Sequence, residues 1–159
     1  MPKRKFYPAS ELPARLQRLR ARGKRLVFTN GCFDLLHPGH IRTLNAAKAE
    51  GAVLVVGVNA DASVRKLKGP GRPVFSEQER VAVLSALEVV DFVTVFQEET
   101  PLALIRLLKP DVLVKGGDWS ARRVVGRAVV ERGGGKVVLV PYEAGFSTTA
   151  IIERIRALG

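Results

Sequence analysis

The sequence predicts an α/β fold: a Rossmann-like, doubly wound, mostly parallel five-stranded sheet in a single domain. Short apolar runs alternate with amphipathic helical segments along the whole chain, which is typical of parallel strands joined by right-handed helical crossovers. The runs are almost continuously apolar, as strands buried on both faces are. The length of 159 residues, 47% of them hydrophobic, suits one domain with its own core.

The individual elements follow from the apolar periodicity and the helix-end signals. Strands are predicted at residues 26–30, 53–58, 92–96, 112–114 and 137–140. Helices are predicted at residues 10–21, 38–49, 76–87, 101–109, 124–132 and from 147 or 148 to about 158. Ser76 and Glu79 form a capping-box pattern, and Thr100 precedes Pro101 as an N-cap precedes a helix. Residues 65–72 are rich in basic residues, Gly and Pro, and predict a loop. Residues 1–24 are expected to form an N-terminal helical extension to the domain at 25–159.

Composition limits the compartment and the partners. The single cysteine excludes an intrachain disulfide, and no apolar run is long enough to span a membrane. The basic N-terminus is not followed by an apolar signal segment, so we expect a cytoplasmic protein without a membrane partner. The net charge of +11 favours anionic partners, but charge alone does not separate nucleotides, sugar phosphates, nucleic acid and membrane surfaces.

The segment after the first predicted strand carries the strongest chemical signal. His37 and His40 are the two histidines of the chain and lie three residues apart at a predicted helix start. Their side chains can therefore project from one face, beside N–H groups that attract anions. Gly31 and Gly39 allow a ligand to approach the backbone closely. The pattern predicts a phosphate site rather than a turn with two incidental histidines.

Three further segments follow predicted strands, where ligands bind in doubly wound folds. Lys66 and Lys68 belong to the basic segment after the second strand, which could also be an ordinary solvated charge run. Lys115 precedes a glycine pair after the fourth strand, where plain turn chemistry is the alternative. Ser147 or Thr148 begins the last helix, and N-capping alone would explain either residue.

The segment Asn30–His40 resembles the signature of the HxGH nucleotidyltransferase superfamily, the cytidylyltransferase-like enzymes. Six other segments, 58–64, 67–69, 72–74, 87–91, 114–118 and 145–149, resemble the adenylyltransferase domain of bacterial ADP-heptose synthase (D-glycero-β-D-manno-heptose 1-phosphate adenylyltransferase). The similarity covers nearly the whole chain, including the leading helix. It implies that residues 25–159 are a nucleotidyltransferase domain that transfers AMP from ATP to heptose 1-phosphate and releases pyrophosphate.

The resemblance also implies roles for particular residues. The implied catalytic residues are His37, His40, Lys68 and Arg80. The implied nucleotide-binding residues are Asn30, Gly31, Cys32, Phe33, Gly39, Lys115, Gly116, Gly117, Asp118, Phe146, Ser147, Thr148 and Thr149. The implied substrate-binding residues are Asp34, Lys66, Trp119 and Tyr142. Asp34 could instead orient its loop or lie near the metal, and Cys32 could simply be a small buried packing residue. Mg²⁺ is expected on the triphosphate, with no protein ligand assigned to it.

Two other functions remain open from the sequence. A glycerol-3-phosphate cytidylyltransferase would use CTP, but similar enzymes lack the leading helix and tend to carry an arginine before the Ser/Thr segment, where this chain has residues 141–143. A non-enzymatic nucleic-acid-binding module would suit the charge, but no nucleic-acid-binding motif is recognisable and aromatic residues make up only 6%. We therefore expect no nucleic-acid partner. A homodimer is expected, as is common among similar enzymes, together with a separate sugar kinase acting upstream.

Overall fold

A computed structural model describes residues 4–117, 120–141 and 144–159. The five strands form one sheet in the order β3-β2-β1-β4-β5, and every strand pair is parallel. The strands are β1 (Leu26–Gly31), β2 (Val53–Asn59), β3 (Phe92–Phe96), β4 (Val112–Gly116) and β5 (Lys136–Val140). The predicted Rossmann-like, doubly wound sheet is confirmed, and its strands are all parallel.

The strand order reverses between β1 and β4. The chain adds β2 and β3 on one side of β1, then returns to add β4 and β5 on the other. Pairing between β1 and β4 runs from Val27–Val112 to Phe28–Leu113, whereas β1 continues to Gly31. The carboxyl ends of these two strands thus border the crevice in which doubly wound folds bind ligands.

Helices cover both faces of the sheet. They are α1 (Leu12–Arg20), α2 (Pro38–Ala49), α3 (Asp61–Lys68), α4 (Glu77–Ala86), α5 (Leu102–Leu108), α6 (Arg127–Arg132) and α7 (Thr148–Leu158). One apolar cluster joins α1, α5 and α6 to the sheet through residues such as Leu16, Ile105 and Phe28. The other joins α2 and α4 to the opposite face through Leu44 and Leu84. The two clusters make a three-layer single domain.

The segment predicted as an N-terminal extension is part of this domain. Tyr7 donates a backbone hydrogen bond of 3.0 Å to Val93, and Val93 donates one of 2.9 Å to Lys5. Leu12 and Leu16 of α1 are fully buried in the core. Residues before β1 therefore extend the β3 edge and cover one face of the sheet.

The prediction of a basic loop at residues 65–72 is wrong over its first half. Residues 61–68 form α3, whose buried Ser63 and Val64 face the protein while its basic residues face solvent. The loop begins only at Gly69, whose φ of 91° lies in the left-handed region that favours glycine. Lys66 and Lys68 are consequently carried by a helix.

Candidate active site

The two histidines lie together where the chain passes from β1 into α2. His37 is the N-cap of α2, in an extended conformation, and Pro38 is the first helical residue. The rings of His37 and His40 stack with centroids 3.8 Å apart and planes inclined by 22°. The ring of Phe33 lies 5.3 Å from that of His40 on another side. The spacing of the two histidines in the sequence thus produces one imidazole pair, at the edge of the sheet where the strand order reverses between β1 and β4.

Burial keeps this pair neutral and leaves it with unused hydrogen-bonding capacity. Burial lowers the pKa of His40 to about 4, with a smaller contribution from the nearby His37 and an opposing one from Asp34. Burial also lowers the pKa of His37. The Nδ1 atoms of both rings are buried without a hydrogen-bond partner in the described part of the chain. Because buried polar atoms normally have partners, these two nitrogens mark a place that a ligand can complete.

A second helix begins beside the pair. Ser147 caps α7 by accepting a 3.0 Å hydrogen bond from the backbone N–H of Ala150. The Thr148 hydroxyl donates a hydrogen bond of 3.4 Å to the carbonyl of Leu35, which ties α7 to the loop before α2. A Cβ on Gly39 would stand 3.4 Å from the Cβ of Phe146. Two helix N-termini therefore converge, and both present unpaired N–H groups and positive dipole ends to an anion.

The glycines that follow β4 have a packing role. A Cβ on Gly116 would stand 2.5 Å from the hydroxyl oxygen of Thr43, so only glycine lets α2 approach the end of β4. Gly117 has a φ of 113° and donates a 3.0 Å hydrogen bond to the carbonyl of Val140. Gly116 therefore lets α2 pack against the sheet edge, and the nucleotide contacts of both glycines stay a prediction.

The implied substrate-binding role of Asp34 does not fit its surroundings. Its carboxylate is buried and accepts hydrogen bonds of 2.9 Å from the backbone N–H groups of Val74 and Phe75 and of 2.8 Å from Nε of Arg72. Burial by itself would raise the pKa of Asp34, but these hydrogen bonds and the Arg72 charge outweigh it and lower the pKa. Asp34 holds the loop between α3 and α4 against the segment after β1.

Asp34→Asn is expected to lower the free energy of unfolding by about 1–3 kcal/mol at neutral pH, because it exchanges a charged acceptor for an amide facing two N–H donors. The folded-state pKa of Asp34 lies below 3.8, so its contribution is present at neutral pH and is lost as the pH falls through that lowered value. Urea unfolding of the unmodified and Asp34→Asn proteins, at several pH values from neutral to below 3.8, measures the difference in stability. A stability difference that stays constant down to low pH would contradict the assignment.

Arg80 likewise differs from its implied place at the triphosphate. The side chain is fully buried, and Nε donates to the carbonyl of Phe75 at 3.1 Å. Its Nη1 donates to the carbonyls of Cys32 at 2.6 Å and Asn59 at 2.8 Å, and Nη2 donates to the Asp61 carboxylate at 2.8 Å. With four hydrogen bonds to the protein, Arg80 ties together the segments that follow β1 and β2. It is a positioning residue in this structure.

The helical register offered a signal for this burial that the sequence reasoning did not use. Arg80 precedes the buried Leu84 by one helical turn, so the two share the inward face of α4. A charged side chain on an inward face must find partners. The carbonyl groups of the neighbouring strand ends are those partners.

The remaining predicted residues differ in their surroundings. Asn30 and Cys32 lie at the end of β1, where burial raises the pKa of the Cys32 thiol against the opposing influence of nearby Lys68 and three other cations. Lys66 forms an exposed ion pair of 3.4 Å with Glu99, and its contact with substrate stays a prediction. Thr149 is exposed in the first turn of α7. The predictions for Asp118, Trp119 and Tyr142 lie outside the described residues.

Residues 4–117, 120–141 and 144–159 contain no group of three or more His, Cys, Asp or Glu side chains placed to hold a metal ion. In this part of the chain no helix has the length and apolar character needed to cross a bilayer.

Comparison with known proteins agrees with this geometry. Bifunctional protein HldE from Geotalea uraniireducens is 61% identical over 137 residues, 86% of this chain and 28% of that protein. Bifunctional protein HldE from a Bradyrhizobium species is 54% identical over 147 residues, 92% of this chain and 30% of that protein. The chain therefore spans less than a third of the length of these curated relatives.

Two solved structures share the fold. A lipopolysaccharide core biosynthesis protein from Thermoplasma volcanium has a TM-score of 0.63 and 31% identity, over 76% of this chain and 98% of that one. Pantoate-beta-alanine ligase from Francisella tularensis also has a TM-score of 0.63, over 97% of this chain and 77% of that one, but at 14% identity it shows the fold alone. The family model described as cytidylyltransferase-like matches residues 28–154, from β1 into α7. With its paired histidines at the switch point of a parallel sheet, this chain belongs to the cytidylyltransferase-like family and is a nucleotidyltransferase.

Proposed function

We propose that this chain transfers AMP from ATP to a sugar 1-phosphate, specifically a heptose 1-phosphate, and releases pyrophosphate. The observation that carries the proposal is the neutral, stacked pair of His37 and His40 with two buried and unpartnered Nδ1 atoms. The pair stands where the N-termini of α2 and α7 converge, which favours binding of a polyphosphate. ATP and the heptose acceptor follow from the resemblance to ADP-heptose synthase carried by segments spread along the chain.

The proposed reaction is a single in-line displacement at the α-phosphorus of ATP. An oxygen of the acceptor phosphate forms the new P–O bond, and the bond from the α-phosphorus to the α–β bridging oxygen breaks. That oxygen leaves with the bonding electrons as part of pyrophosphate. A phosphate monoester is already an anionic nucleophile near neutral pH, so no strong general base is required.

Positioning and charge stabilisation then supply the catalysis. Neutral imidazoles of His37 and His40 donate hydrogen bonds to phosphate oxygens as negative charge shifts toward the leaving group. The backbone N–H groups at the start of α2 and α7 act on the same oxygens. Lys68 is exposed at the end of α3, and it is proposed to bind the triphosphate.

Magnesium is proposed to arrive as part of the MgATP substrate. The described residues offer no cluster of three metal-binding side chains, so the ion would be held mainly by the triphosphate oxygens. Its charge would act on the same phosphates as the neutral histidine pair and the positive dipole ends of the two helices.

The proposal extends to the upstream enzyme, the oligomeric state and the compartment. A separate sugar kinase is proposed to act upstream and to supply the phosphate of the acceptor. The chain is proposed to work as a homodimer. It is proposed to work in the cytoplasm, where ATP and thiols such as that of Cys32 are maintained.

A substrate panel tests the proposal. Pyrophosphate release is measured with each of the four NTPs, using heptose 1-phosphate, other sugar 1-phosphates and glycerol 3-phosphate as acceptors. We expect the highest kcat/KM with ATP and heptose 1-phosphate, because a pocket built for one base leaves buried polar groups unpaired with another.

The second candidate is glycerol-3-phosphate cytidylyltransferase, which the description of the matching family as cytidylyltransferase-like favours. Robust turnover of CTP with glycerol 3-phosphate, and none of ATP with any sugar 1-phosphate, would establish it instead. The non-enzymatic nucleic-acid-binding module that the net charge also allowed is set aside, because the chain belongs to the cytidylyltransferase-like family.

A further inference from the structure

Phe33 has a backbone conformation that is rare for so large a side chain. Its φ of 47° lies in the left-handed region, where bulky residues are seldom found. Among the described residues, Lys109 at the end of α5 is the one other non-glycine residue with a positive φ. Such a conformation costs free energy, so it persists only where the surrounding structure holds it in place.

The two neighbours of Phe33 in the chain are both fixed by other segments. The carbonyl of Cys32 accepts the 2.6 Å hydrogen bond from Nη1 of Arg80, which α4 carries. The carboxylate of Asp34 accepts hydrogen bonds from Arg72 and from the backbone N–H groups just before α4. Phe33 therefore lies between two anchored residues, and this anchoring accounts for its left-handed backbone.

The Phe33 side chain lies between the core and His40. It is 5% exposed and belongs to the apolar cluster that contains Leu44. Its ring centroid is 5.3 Å from that of His40, and the two planes are inclined by 55°. His37 stacks on the same imidazole at 3.8 Å. Two rings thus hold His40, one from the start of its own helix and one from the segment after β1.

Gly31 provides the space for the Phe33 ring. A Cβ at Gly31 would stand 3.2 Å from Cε2 of Phe33, so the ring would have to move by a few tenths of an ångström. Gly31 ends β1 and its φ is not positive, so alanine would act through this contact rather than through the backbone. The position of the ring therefore depends on a glycine at residue 31.

We propose that Phe33 is a positioning residue for catalysis, whose ring fixes the orientation of the His40 imidazole and excludes water from it. The inference rests on the proposed role of His40 as a hydrogen-bond donor to phosphate. It lets Phe33 act through His40 rather than through contact with the nucleotide. A phenylalanine that only filled the core would need no left-handed backbone.

The electrostatic surroundings of His40 provide a readout of this role. Within the described residues, the titratable groups that act on His40 are His37 at the helix start and Asp34 after β1. Burial has the largest effect and lowers the pKa of His40 to about 4. Removing part of the Phe33 ring would admit water to the imidazole, so the pKa of His40 should rise toward its ordinary value of 6.5.

Phe33→Leu tests the proposal, because leucine keeps an apolar side chain in the core but lacks the far half of the ring. The pKa of His40 is measured by NMR titration of the imidazole signals, which are simple to assign in a chain with two histidines. We expect this pKa to rise, kcat to fall by at least about 10-fold as His40 loses its orientation, and the KM for ATP to change by less than about threefold.

Phe96→Leu is the matched control. Phe96, at the end of β3, is 4% exposed and thus as deeply buried as Phe33, but it packs in the other apolar cluster. Its substitution should lower the melting temperature by a similar amount, leave the pKa of His40 at about 4 and keep kcat within about twofold. An unchanged pKa of His40 or an unchanged kcat in Phe33→Leu would overturn the proposal. So would equal changes in the two variants, or a loss confined to the KM for ATP.

A double-mutant cycle with Gly31→Ala separates the effect of the ring from a direct contact between Gly31 and the nucleotide. Gly31→Ala should lower kcat by about threefold or more in the unmodified protein but by less than about twofold in Phe33→Leu, because leucine has no atom at the Cε2 position. Equal losses in both backgrounds would contradict the proposal. The pKa of His40 in the four proteins of the cycle is measured without substrate, so failure here is separable from failure of the substrate panel.

Discussion

His40→Ala is expected to lower kcat by at least about 100-fold while the protein still folds, the usual scale for losing one preorganised transition-state donor. The ring of His40 stacks on His37 and lies against Phe33, and its burial lowers the pKa to about 4, so it is a neutral donor at neutral pH. Pyrophosphate release under saturating substrates measures the effect, and circular dichroism with thermal unfolding checks the fold.

Two companion variants sharpen the test. His40→Phe keeps an aromatic ring and removes both ring nitrogens, so it should also lose activity. Asn45→Ala changes an exposed residue further along α2 and should retain kcat within about twofold. A folded His40→Ala protein with near-unmodified kcat would show that the active site lies elsewhere.

Arg80→Ala is expected to produce the largest loss of stability, about 3–5 kcal/mol in the free energy of unfolding. The substitution removes four hydrogen bonds and leaves the carbonyls of Cys32, Asn59 and Phe75 and the Asp61 carboxylate without their donor. Urea unfolding followed by tryptophan fluorescence or circular dichroism measures the loss. Arg80→Lys should recover only part of it, since an ammonium cannot reproduce the planar set of donors.

Arg106→Ala is the matched control, because Arg106 is exposed on α5 and its loss should change stability by less than about 0.5 kcal/mol. A different result for Arg80→Ala would assign the residue another role. If Arg80→Ala kept its stability and lost ATP binding, the residue would contact the triphosphate directly, as the family resemblance implied, and the positioning role would be wrong.

The sheet and its crevice were predictable from the sequence because each strand is an apolar run with clear ends. The segment that was misassigned, α3, shows the limit of such reasoning. Its stretch from Arg65 to Lys68 is strongly basic and leads into Gly69-Pro70-Gly71, which suggested a loop throughout. A short surface helix needs only one buried edge, and Ser63 and Val64 provide it.

The candidate site was also predictable only in part. The proximity of His37 and His40 followed from local helical geometry and a strand end. The buried partners of Asp34 and Arg80 did not follow from local geometry, because most of them come from segments 19 to 48 positions away in the chain. Sequence pattern identifies charged residues near a site, but packing decides which of them face the ligand and which hold the loops in place.

The central claim, displacement at the α-phosphorus of ATP by a phosphate acceptor, is tested most directly by tracing the α–β bridging oxygen. ATP carrying oxygen-18 at that position is incubated with the enzyme and heptose 1-phosphate, and both products are analysed by mass spectrometry. Our account predicts that pyrophosphate carries all of the label and that the nucleotide sugar carries none. Label retained in the nucleotide product, or formation of ADP and a doubly phosphorylated sugar, would contradict it.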